Sequence, residues 1–435
     1  MNKEEKSSSK CPICGRATHK ELKCCIFHAK AEEKTEEEFK GALKKYIQEI
    51  KKEQKDYDFE KFIFVGNIKF NEDLNVTILK NADFNEATFK GDASFWNATF
   101  KGDASFWNAT FKGKTDFWNA TFKGDSVFQE AIFKGDANFE VKSFAKYVNF
   151  KKIRVLPGKK LNLKVENNKA KVNFERAYLE DAYLDISIIA GVLIDFNNAL
   201  LKNTKIKKDR IINHILQEKE KKFNEAQEVY LLLKNNFHSI GQYEDESWAF
   251  TKERDMERMS KSFYSLLRKY KKYSLFKKIL KQGNLLKRVI IKSKIFSKWL
   301  FSKKAIEWFN LSVSDFIYQY GENPWRVIRF ALIIIFLFAI ILNFSGIVNS
   351  DNTNLIIEFI KKSQGDEYTI RYLGPILGSF LNCLYFSVVT FTTLGYGDFQ
   401  PAVGLSRFFV SLESIIGAIT MALFVYTFAR RTGGR

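Results

Sequence analysis

The chain has 435 residues, with 70 Lys and Arg against 50 Asp and Glu, for a net charge of +20. That length suits roughly two or three domains, and the 46% hydrophobic content excludes a disordered chain while 28% charged residues exclude one that lies wholly within a bilayer. Forty-three Phe against five Pro point to an architecture that repeatedly needs a large flat side chain.

Residues 1–30 hold four of the five cysteines, between Cys11 and Cys25. This is not a disulfide framework in a chain of this length. Cys11-x2-Cys14 is followed by Cys25-x2-His28, and two close ligand pairs about ten residues apart can assemble a small tetrahedral zinc site. Cys11, Cys14, Cys25 and His28 are the expected Zn2+ ligands, with Cys24 an alternative. A four-ligand site of this kind is structural and closed. Free cysteines in a disordered tail are the competing reading. The first residues, MNKEEKSSSK, have no apolar stretch of the kind a signal peptide needs. Residues 31–58 are charged and helical in pattern.

Residues 59–204 carry an internal repeat. Phe recurs at 84, 95, 106, 117, 128, 139 and 150, and a second series runs 89, 100, 111, 122, 133 and 144. Both have a period of 11, so the steps alternate between five and six residues. Two residues before each Phe from 84 to 139, nine of eleven positions are Ala, the exceptions being Thr115 and Ser126. With Gly at 91, 102, 113, 124 and 135 this cannot be a helix. Short strands with a large and a small inward residue, joined by turns, stack instead into a solenoid whose coils share one Phe ladder.

The pattern resembles the pentapeptide-repeat family, and AYLEDAYLD at 177–185 strengthens the resemblance. The family implies a right-handed, quadrilateral β-helix, which the charges flanking the membrane spans described below place on the cytoplasmic side. Pro157-Gly158 interrupts the pattern, and a distortion is expected between Arg154 and Val172. Trp96, Trp107 and Trp118 each follow an inward Phe and so point outward. With two 11-residue units per coil, Trp96 and Trp118 share one face and Trp107 lies on the opposite one. They are either surface packing inherited from duplication or a protein-partner surface on the solenoid.

Residues 205–324 are helical and end in a basic juxtamembrane stretch. Apolar residues at Ala226, Val229, Tyr230 and Leu233 follow the helical period. From Lys261 to Lys304 there are 15 Lys and Arg and no Asp or Glu, so this stretch supplies most of the net charge. Its basic residues alternate with Phe, Tyr, Leu and Ile, as suits an anionic cytoplasmic leaflet. Lys277, Lys278, Lys281, Lys287, Arg288, Lys292 and Lys294 are the expected lipid-facing cations, with Trp299 and Trp308 as interfacial anchors. Nucleic acid is not expected as a partner, and a solvated linker is the plainer alternative.

In residues 325–435 two apolar segments, Trp325–Val348 and about Val403–Phe428, are long enough to span a bilayer. Basic residues at both outer ends place both termini in the cytoplasm, in a multi-pass protein of the cell membrane. Between them Thr392-Thr393-Leu394-Gly395-Tyr396-Gly397-Asp398 breaks regular structure at membrane depth. That is tolerated only where backbone is buried in protein or lines an aqueous path.

This region resembles the pore of two-transmembrane potassium channels, whose TVGYG filter stands here as Thr393-Leu394-Gly395-Tyr396-Gly397. The resemblance implies an α-helical pore domain with a re-entrant pore helix before Thr392. It also implies a homotetramer whose carbonyls, with the Thr393 hydroxyl, bind K+. Asp398, Pro401 and Arg407 match the family's post-filter residues, and Gly417 matches its gating-hinge glycine. Tyr385 replaces a pore-helix Trp and is placed to bond Asp398. Glu413, inside the second span, is expected to bond the pore helix at a residue such as Thr390, or else to attract cations near the cavity. Passive K+ conduction, gated or scaffolded by the solenoid, is the function implied, and no catalytic constellation suggests an enzyme. A weakly selective cation channel and a membrane-anchored scaffold are the rivals. No Arg-rich helix precedes the pore, so steep voltage gating is not expected.

Overall fold

The computed structural model describes residues 10–20, 22–144, 147–165, 170–188, 191–271, 285–349, 373–402 and 404–432. They form two compact units, Met1–Ser260 and Lys261–Arg435.

The first unit is a β-solenoid of two- to six-residue parallel strands in four sheets of seven, five, six and four strands. Ala82 pairs with Ala104 and Thr88 with Thr110, so one coil advances 22 residues and takes two 11-residue units around four sides. Each side therefore carries its own aromatic column, four in all where the repeat suggested one. Phe84, Phe106, Phe128, Phe150, Phe174 and Phe196 stack with centroids 4.7–5.6 Å apart. Phe95, Phe117 and Phe139 make a second column at 4.7 and 4.9 Å. Phe89, Phe111 and Phe133 form the third, and Phe100, Phe122 and Phe144 the fourth. The spacing is that of neighbouring strands. Across the interior the columns meet edge to face, as Phe95 and Phe106 do at 83°, an arrangement the ring quadrupole favours.

The small residues two places earlier are buried. Thr115 and Ser126, which replace Ala there, bury hydroxyls that find no partner. At the corners, Asn97, Asn108 and Asn119 hold φ of +54° to +57°, a left-handed conformation that Asn tolerates well. Trp96 and Trp118 stack outside at 6.0 Å. The expected distortion appears as longer strands: Ala137 pairs with Leu161, an advance of 24, and Lys160–Val165 and Tyr183–Ile188 run six residues each.

Both ends of the solenoid are covered, as stacked coils require. At the first coil, helix α1 (Glu36–Glu53) buries Phe39, Leu43, Ile47 and Ile50. Thr35 starts it, its hydroxyl accepting from the Glu38 N–H while the Glu38 carboxylate accepts from the Thr35 N–H. At the last coil, α2 (Phe223–Ser239) buries Ala226, Val229, Tyr230 and Leu233, the face read from the sequence. Helix α3 (Tyr243–Lys261) packs on α2 through Trp248, which meets the Tyr230 ring at 5.6 Å. The helical region 205–324 is thus divided: residues up to Ser260 belong with the solenoid and the rest with the second unit.

The second unit contains α4 (Phe263–Lys271), α5 (Leu285–Leu300), α6 (Lys303–Tyr318), α7 (Pro324–Ser345), α8 (Leu373–Phe391) and α9 (Leu405–Thr432). Helices α7 and α9 are long and apolar enough to cross a membrane. The apolar part of α8, Gly378–Phe391, covers only about 21 Å at the helical rise. A short antiparallel pair, Ile347–Asn349 with Phe399–Pro401, ties the end of α7 to the chain beyond residue 398.

Candidate functional site

Helix α8 ends where the Thr393 N–H donates to the Thr390 carbonyl and the Leu394 N–H to the Val389 carbonyl. Beyond it the chain runs through Thr393, Gly395 and Gly397 with φ of +58°, +59° and +81°. Alternate left-handed residues turn successive peptide planes, so carbonyls of the intervening residues can be brought to one side. Glycine does this freely. Thr393, β-branched, does so only under constraint from its surroundings, and its hydroxyl donates to the Thr392 carbonyl at 2.7 Å. Residues Thr393 to Asp398 are exposed in the single chain, with Leu394 at 58% and Tyr396 at 68%. Among the described residues, the N–H groups of Gly395 to Asp398 find no backbone acceptor.

Three helices support this segment. Gly417 lies mid-way along an unbroken α9, against the C-terminal end of α8, and a Cβ there would stand 2.1 Å from the Phe391 carbonyl oxygen. The glycine thus permits a close approach of α9 to the last turn before the filter-like segment. The Glu413 side chain is fully buried and bonds the Ser387 hydroxyl, which also lies 2.9 Å from the Ile335 carbonyl of α7. Its partner on α8 is Ser387, one turn before Thr390. Tyr385 meets the ring of Phe399, the residue next to Asp398, at 6.0 Å. At the opposite end of α9, Arg430 pairs with buried Glu322 at 3.0 Å and donates to the Tyr320 carbonyl at 3.2 Å. The elbow it grips, Gln319–Gly321, has three consecutive residues of positive φ. Arg326 pairs with Asp315 at 3.0 Å, joining α6 to the first turn of α7.

A family model described as an ion channel matches residues 368–433. The C-terminal part of the chain carries an ion-channel domain. A model described as pentapeptide repeats, nine copies, matches 63–110, 74–121 and 108–141. No curated protein and no solved structure matches the chain significantly. An ion-channel domain joined to pentapeptide repeats points to a non-enzymatic membrane protein. Channels of this family are typically oligomeric, which agrees with the exposure of the filter-like segment in one chain.

The Cys/His cluster forms in the first unit. Cys11 and Cys14 sit on a hairpin closed by the Lys10–Ala17 bridge, with Gly15 at φ +69°. Cys25 and His28 flank a turn in which the His28 N–H donates to the Cys25 carbonyl. The Sγ and Nδ1 atoms of the four residues lie within 4.8 Å of one another, with Cys14 to Cys25 at 3.5 Å and Cys11 to His28 at 3.6 Å. Four ligands at tetrahedral zinc distances stand about 3.5–3.8 Å apart. The cluster therefore has the donors and spacing to hold a metal ion, and Cys24 lies outside it. His28 Nε2 meets the Glu60 carbonyl of the first coil at 3.0 Å, which orients Nδ1 toward the other ligands. Burial opposes ionisation of Cys11, yet the N–H groups of Cys25, Cys14 and Ile13 more than offset it and bring the thiol down to about 6. Burial pushes Cys25 up to about 12.

Of the expected lipid-facing cations, Lys277, Lys278 and Lys281 lie outside the described residues, as do the side chains of Lys287 and Arg288. Lys292 and Lys294 are exposed on α5. Trp299 is not an exposed anchor. It is 6% exposed, packed against Phe263, Phe296 and Trp308, with its indole N–H donating to the Lys261 carbonyl at 3.0 Å. Sequence reading missed this small aromatic core and the Arg430–Glu322 pair, because neither leaves a periodic signal.

Proposed function

We propose that the chain is one subunit of a homotetrameric channel that conducts K+ passively through a filter built from Thr393, Leu394, Gly395, Tyr396 and Gly397. One observation carries the reading: between two apolar spans, exposed non-helical backbone holds alternate residues in the left-handed region. Bare backbone at membrane depth needs partners, and four copies around an axis supply rings of carbonyl oxygen that replace an ion's hydration shell. Thr392 and Asp398 bound this segment, Tyr385 braces it through Asp398, and Glu413 braces α8 through Ser387. Gly417 serves both close packing and bending of the inner helix.

Both termini lie in the cytoplasm of a cell-membrane protein. The four-ligand cluster takes Zn2+ as a closed structural site, the basic segment faces anionic lipid, and the solenoid gates the pore or scaffolds it. The test is the reversal potential of the purified protein in planar bilayers, with K+ on one side and Na+ on the other. A value near the K+ equilibrium potential is expected. A value near zero overturns the filter reading in favour of a weakly selective pore.

A further inference from the structure

Helices α4, α5 and α6 flank two adjoining cavities, each open to the surface, that share Trp299 as a wall. The larger, about 650 Å³, is lined by aromatic and aliphatic side chains, chiefly Phe263, Phe296, Ile306, Trp308 and Phe309. The smaller, about 370 Å³, is lined by Leu266, Ile295 and Ser302 and rimmed by Lys294, Lys298 and Lys304. Both volumes fall in the range of small-ligand sites. The indole N–H of Trp299 already has its acceptor in the Lys261 carbonyl, so the shared wall offers only carbon. Among the described residues, none of the three lysines has a carboxylate partner, and Glu307, one turn beyond Lys304 on α6, is paired with Lys261 at 2.9 Å.

The apolar surface continues beyond the cavities. Ile306, Phe309, Val313 and Phe316 lie at helical spacing along α6 and are 60%, 61%, 36% and 55% exposed. Phe301 is 88% exposed at the turn between α5 and α6. This stripe ends a few residues before Pro324, where the first membrane-spanning helix begins.

We infer that the two cavities form a binding site for one anionic phospholipid, with acyl chain in the aromatic cavity and phosphate on Lys294, Lys298 and Lys304. Charge selects this occupant over a second copy of the same surface: residues 261–318 carry fifteen cations against two acids, and those two, Glu307 and Asp315, are already paired within the chain with Lys261 and Arg326. Free phosphate would leave the aromatic cavity unfilled. The inference rests on the proposal that the basic segment faces lipid, but it does not depend on what the pore conducts.

The test titrates the full-length protein in mild detergent with dioleoyl phosphatidylglycerol, dioleoyl phosphatidylcholine or glycerol 3-phosphate, and counts bound molecules by native mass spectrometry. Phosphatidylglycerol is expected to bind about tenfold or more tighter than phosphatidylcholine. The exposed-site variant K294Q/K298Q/K304Q should erase that preference, and Ile306→Glu should weaken both lipids. Equal binding of the two lipids, an unchanged preference in the triple variant, or displacement by glycerol 3-phosphate alone would each overturn the site. Cross-linking of Phe309→Cys between copies in place of lipid would do the same. Binding is read without current, so a nonselective pore leaves the result intact.

Discussion

At Gly417 the missing side chain is a packing requirement in its own right. With the Phe391 carbonyl oxygen 2.1 Å from where a Cβ would stand, even alanine must push α9 away from the last turn of α8 or tilt that carbonyl. Overpacking of this kind typically costs about 1–3 kcal/mol, and here the strain falls two residues before Thr393. Gly417→Ala is therefore expected to lower conductance and shorten the survival of the assembled oligomer in detergent on heating. A pure hinge role predicts a changed open probability with unit conductance and assembly intact, so single-channel recording beside a thermal assembly assay separates the two. Glu413 teaches the complementary lesson. Its burial in a span marked it in the sequence, but the register between α8 and α9 decides whether Ser387 or Thr390 meets it, and no spacing along either helix encodes that register.

Among the elements, the strands were legible because an 11-residue spacing of Phe with Ala two places earlier fits short stacked strands and excludes a helix. The four separate columns were missed, although two 11-residue units per coil on a four-sided helix require them: each side takes one Phe of its own per coil. The ligand pairs around Cys11 and Cys25 were readable from their spacing. The choice of Cys25 over Cys24 was decided by the Cys25–His28 turn. Trp299 misled because an aromatic residue near a membrane span is as consistent with a small local core as with an interface. The elbow between α6 and α7 left no sequence signal, yet it is where the C-terminal end of α9 is held. Glu322 is buried, and removing its charge leaves Arg430 without its carboxylate, although Arg430 is about a third exposed and water softens the loss. Glu322→Gln keeps the shape and weakens the grip. If the lower end of α9 must move for the pore to open, this variant is expected to raise open probability several-fold with selectivity unchanged. Bilayer recordings of the two proteins under identical conditions check it, and an unchanged open probability would remove the elbow from the opening motion.

Taken whole, the molecule joins two units held together by different solvents. The solenoid buries stacked Phe away from water, and its stability is close to a sum over coils and their interfaces, so what closes its ends matters disproportionately. The Cys/His cluster is part of that closure: Phe27, between Cys25 and His28, stacks on Phe62 at 4.6 Å, and His28 meets the Glu60 carbonyl. The second unit instead exposes apolar faces on α7 and α9, helices long and apolar enough to cross a membrane. Calorimetry of the full-length protein should therefore show two transitions that respond to different additions. A metal chelator is expected to lower the solenoid transition by several degrees, because metal binding to a folded site is folding free energy, while leaving the membrane transition in place. Phosphatidylglycerol should raise the membrane transition alone. A single transition that moves with both additions would mean that the two units unfold as one, and the solenoid would then have a direct thermodynamic hold on the pore.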